Sequence, residues 1–75
     1  MFAKTADFYL VVFLMCKGLK LEEMESIDTR KMFIFSDTEE YRNLKNNYYS
    51  NKATVNPLDF KSKIRELKAL IAKTN

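Results

Sequence analysis

Apolar residues fall along this chain in three different patterns, and each predicts a different kind of element. From Phe8 to Cys16, "FYLVVFLMC", every position is apolar, so at 100° per residue the side chains surround the whole circumference of a helix. Thr5 is placed to cap it, Asp7 lies in a first turn where the dipole favours an anion, and Lys17 and Gly18 close it. This predicts a helix over 6–17. A strand through "FYLVVF" is the rival, favoured by Val11 and Val12, but it leaves both caps unused.

The second pattern is alternation. "LKLEEMESID" and "RKMFIFSD" meet at a "DT" turn, and the second run sets Met32 and Ile34 on one face and Phe33 and Phe35 on the other. A β-hairpin follows. Its second strand carries apolar groups on both faces and is therefore sandwiched, whereas Glu22, Glu23 and Glu25 make the first an edge blunted by charge.

The third pattern is the stripe of an amphipathic helix, and it occurs twice. Ser36 with Glu39, or Asp37 with Glu40, forms a capping box that starts a second helix near Thr38. Tyr41, Leu44 and Tyr48 share its apolar stripe, which puts Tyr49 about 100° round from Tyr48. "NPLD" opens a third helix, with Asn56 as cap, Pro57 first inside and Asp59 in the first turn, running to about Lys73. Phe60, Ile64, Leu67 and Ile71 form its stripe, widened by Leu70, and Lys61, Arg65 and Lys68 repeat the spacing on a neighbouring face. The expected fold is α+β: helix, β-hairpin, helix, helix in one small domain spanning 1–75. A two-stranded antiparallel sheet packs on the helices, with Phe33 and Phe35 near the first.

Composition tightens this picture. At 75 residues, 47% apolar and 31% charged with one Gly and one Pro, the chain is an ordered domain of the size at which a core is marginal. A helix apolar on all sides in so short a chain leads us to expect a homodimer. There is no His and the one thiol is Cys16, so neither a structural zinc site nor an intrachain disulfide is expected, and no cofactor. The apolar run is far shorter than the roughly 20 residues of a membrane span, and no small-residue cleavage site follows it. A cytoplasmic protein that does not engage membranes is expected.

Charge is unevenly spread. Residues 20–40 hold seven acids against three bases, and residues 41–75 hold eight bases against two acids. The basic third helix, with Lys45 and the loop residue Lys52, suits phosphate contacts, and Tyr49 suits stacking on a base. Candidate nucleic-acid-binding residues are therefore Lys45, Tyr49, Lys52, Lys61, Arg65 and Lys68. The plainer alternative is an ordinary solvated helix face and tyrosines that edge the core. A third is assembly of the acidic hairpin of one molecule on the basic helix of another. No nucleophile elbow, phosphate loop or carboxylate pair stands out, so neither an enzyme nor a small-molecule substrate is expected.

The segments "FYLVVFLMCKGLKL", "KMFIFSDTEE", "NNYYSNKATVNPLDF" and "IRELKALI", in this order, resemble a family of small domains of unknown function met in phages and mobile elements of low-GC bacteria. The resemblance runs from about Lys4 to Lys73 and rests on packing and turn features: Lys17, Gly18, Lys20 and Leu21, the pair Phe33 and Phe35, the two tyrosines and the final "LKALI". At Ser50 and Asn51 the family more often has Asn-Gly. The resemblance implies an accessory role in replication or host takeover; the many Asn and Lys residues fit an AT-rich genome. Two functions are carried forward: a non-enzymatic nucleic-acid-binding accessory acting on DNA, single-stranded or duplex, and an adaptor docking on a larger phage or replication protein.

Overall fold

The structure is a computed structural model that describes residues 1–73. Its elements run β1 (Phe2–Thr5), α1 (Phe8–Cys16), β2 (Glu23–Ile27), β3 (Arg30–Ser36), α2 (Glu39–Tyr49) and α3 (Pro57–Lys73). The class is α+β, as the patterns predict. The sheet, however, has three antiparallel strands in the order β1-β3-β2, not two.

The additional strand is β1, whose Ala3 and Thr5 pair with Phe35 and Phe33. Its pattern hides it from a search for apolar alternation. The side chains on the core face, Ala3 and Thr5, are small or polar, while Phe2 on the other face is 63% exposed. Recruiting Thr5 to the sheet also moves the helix cap. Asp7 caps α1 instead, its Oδ1 accepting the Leu10 N–H at 3.1 Å, and Thr5 Oγ1 accepts the Asp7 N–H at 3.2 Å. The helix therefore starts two residues later than predicted.

Its far end is as expected. Gly18 takes φ +89°, while the Leu19 N–H reaches the Leu14 carbonyl and the Gly18 N–H that of Met15, which satisfies two carbonyls the helix leaves open. Leu10, Val11, Val12, Phe13 and Leu14 are each at most 2% exposed. Burying such side chains contributes about 1.5–3 kcal/mol apiece. Phe33 and Phe35 of the sheet, Tyr41 of α2 and Leu67 of α3 complete the cluster around them. One chain thus buries the middle of α1, Leu10 to Leu14, by itself, while Tyr9 stays 54% exposed.

The hairpin β2–β3 turns through Asp28 and Thr29 between the paired Ile27 and Arg30, and Asp28 adopts φ 56°. Aspartate tolerates that left-handed backbone better than a branched residue does. As expected, β3 is enclosed and β2 is an acid-lined edge. Ile34, on the face away from α1, is only 5% exposed. Lys4 of β1 sits beside it, and Lys4 Nζ reaches the covered Oε1 of Glu25 on β2 at 2.8 Å, so this ion pair crosses β3.

The second helix is capped by Thr38, whose Oγ1 accepts the Tyr41 N–H at 3.0 Å, in place of the predicted capping box. Ser36 belongs to β3, and Asp37 is held by Arg42 at 2.9 Å. In α3 the prediction holds: Asn56 Oδ1 accepts the N–H groups of Leu58 and Asp59 at 2.9 and 3.2 Å. Among the described residues no helix is long and apolar enough to cross a membrane.

Candidate nucleic-acid interface

Phe60, Ile64, Leu67 and Ile71 turn α3 toward the core, and the helical phase then fixes where its cations go. Lys61, Arg65 and Lys68 lie about 100° round from that stripe, and all three are exposed. From Lys61 to Lys68 the rise is about 10 Å. Among the described residues none of the three is in an ion pair, whereas Lys63, on another side of the helix, is held by Glu66 at 3.2 Å. Three cations in one row, with no ion pair among the described residues, give this face of the helix a positive potential.

Lys52 is exposed in the loop that leads to α3, where its N–H bonds the Asn47 carbonyl at 2.9 Å. The preceding Asn51 has φ 61°, a left-handed backbone that asparagine adopts more readily than most residues. Lys45 goes elsewhere. It lines a groove with Ala3, Asp37, Tyr41, Arg42 and Asn46, to which α3 contributes nothing, so it does not join the row on α3.

The two adjacent tyrosines divide as their phase predicts. Tyr48 is half-buried, its ring 5.6 Å from that of Phe13, and Tyr49 is 57% exposed. Tyr49 is nevertheless tethered. Its hydroxyl donates to Asp7 Oδ2 at 2.6 Å, and that bond, followed by partial burial and the Asp7 charge, pushes its pKa up to about 12. One carboxylate thus caps α1 with Oδ1 and fastens the end of α2 with Oδ2.

Sequence reasoning missed Tyr9. The apolar run places it in a helix covered on all sides, but it is 54% exposed, and its ring stacks on Phe60 of α3 with centroids 6.3 Å apart and planes 16° from parallel. A signal existed: Tyr9 alone in the apolar run carries a hydroxyl, and it sits in the first turn, where no earlier turn of helix covers it. Tyr9 and Tyr49 thus gather at the start of α1, where Phe60 brings the start of α3, with Asp59 and Lys61 on either side of it in the sequence. Cys16, half-buried, has its thiol pushed up by burial and by the nearby Asp59 charge, which keeps it in the unreactive protonated form.

No curated protein and no solved structure matches the chain. A family model does, over residues 2–73, and so from the first residue of β1 to the last of α3. By that match the chain belongs to the family described as Domain of unknown function (DUF5659).

Proposed function

We propose that this protein is a non-enzymatic nucleic-acid-binding accessory, working in the cytoplasm in the replication of a phage or mobile element, and that it grips phosphates through α3. The observation that carries this is the row Lys61, Arg65 and Lys68: in phase, exposed and, among the described residues, in no ion pair. A solvated helix face that serves only solubility commonly intersperses both signs of charge. Lys52 extends the positive potential beyond the start of the helix. The resemblance to domains of phages and mobile elements supports the setting.

Salt dependence tests it. Three phosphates neutralised on duplex DNA give a slope of log affinity against log salt near −2.7, at about 0.9 per contact. An affinity that does not change with salt, or no binding at low salt, contradicts the proposal. Docking on a larger replication protein is the second reading, favoured by Leu58, which is 75% exposed at the start of α3. That reading expects binding without a phosphate dependence.

A further inference from the structure

Two exposed tyrosine rings stand near the start of α1: Tyr9, in its first turn, stacks on Phe60 of α3, the residue before Lys61, and Tyr49, at the end of α2, is bonded to the α1 cap Asp7. Tyr9 stacks on Phe60 and stands perpendicular to Phe8 (5.2 Å, 84°), and is still 54% exposed. Tyr49 stands perpendicular to Tyr48 (5.2 Å, 84°), and is 57% exposed. Both are braced: Tyr9 by the stack on Phe60, and Tyr49 by the hydrogen bond to Asp7. Ordering an aromatic side chain before a ligand arrives removes part of the entropy cost of binding it.

We infer, building on the phosphate-binding role proposed for α3, that the ligand is a single strand, with unpaired bases stacked on Tyr9 and Tyr49 and its backbone running along Lys61, Arg65 and Lys68. A duplex keeps its bases stacked on one another and offers these rings only its sugar-phosphate exterior. A single strand offers π-faces, and a row of cations beside aromatic rings is the arrangement that holds one with little regard to sequence. Asp7 is held in place by neutral donors, Oδ1 by the Leu10 N–H and Oδ2 by the Tyr49 hydroxyl, and keeps its negative charge, so the phosphates must follow the cations of α3 while only bases approach it. Asp59, in the first turn of α3, lies about 160° round that helix from Lys61.

Labelled thymidine and uridine strands of about 12 nucleotides, and a duplex of the same length, are titrated with the full chain by fluorescence anisotropy. Tyr9→Leu, which retains apolar cover for Phe60, is compared with Tyr49→Phe, which retains the ring. Circular dichroism confirms that each variant is folded. The expected result is tighter binding of at least one strand than of the duplex, a roughly tenfold loss of strand affinity for Tyr9→Leu at an unchanged salt slope, and little loss for Tyr49→Phe. Duplex bound as tightly as strand, or strand affinity unmoved in Tyr9→Leu, overturns the single-strand inference and leaves the role of α3 standing. No salt-sensitive binding of any of the three nucleic acids overturns both.

Discussion

Tyr49 and Asp7, 42 residues apart in the chain, are joined by a 2.6 Å hydrogen bond between the end of α2 and the cap of α1. Because the bond raises the Tyr49 pKa from 10.0 to about 12, folding favours the protonated phenol. The stability this confers is complete below pH 10 and is lost as pH rises through about 12. Tyr49→Phe is expected to lower stability by about 1 kcal/mol at neutral pH, a value discounted for exposure. In denaturant titrations the gap between wild type and variant then closes above pH 10. A gap that widens with pH contradicts the assigned bond.

Tyr41 is the buried tyrosine of α2, 3% exposed against the ring of Phe35, and burial raises its pKa. Its hydroxyl has no hydrogen-bond partner among the described residues. Tyr41→Ala is expected to cost about 3–5 kcal/mol by leaving a cavity. Tyr41→Phe is nearly neutral because no bond is lost. The half-buried Tyr48→Ala falls between them at about 2 kcal/mol. Chemical denaturation of the three variants checks this order.

Gly18 tests the end of α1. A Cβ there meets nothing within 4 Å, so the cost of Gly18→Ala comes from the backbone at φ +89° alone. That cost is about 1–2 kcal/mol, measurable as a lower denaturation midpoint with an unchanged slope.

Much of this architecture is legible in the sequence because period and capping agree. The Asn56-Pro57 start of α3, the glycine end of α1 and the alternation of β3 each have a local physical cause, and each is found where it was expected. What escaped is of another kind. The strand β1 is held by its pairing with β3, a partner some 30 residues away, and its own side chains carry the reverse of the usual pattern. Thr5 and Asp7 are both good caps, and the choice between them depends on whether Thr5 is already in the sheet. Tyr9 looks like core because its helix is core; the local signals of its exposure are its hydroxyl and its place in the first turn, but its stack on Phe60 depends on how α3 packs. That Lys61, Arg65 and Lys68 meet no acid among the described residues is likewise a tertiary fact, though their common face is not.

The central claim is that the row on α3 holds phosphate, and reversal of Lys61, Arg65 and Lys68 to Glu tests it most directly. All three are exposed and, among the described residues, in no ion pair, so the triple variant is expected to fold, with a circular dichroism spectrum like that of the wild type. Its affinity for a labelled DNA strand, measured by anisotropy at low salt beside the wild type, is predicted to fall at least a hundredfold, and the salt slope to flatten. A folded triple variant that binds DNA with wild-type affinity and wild-type salt slope would contradict the claim.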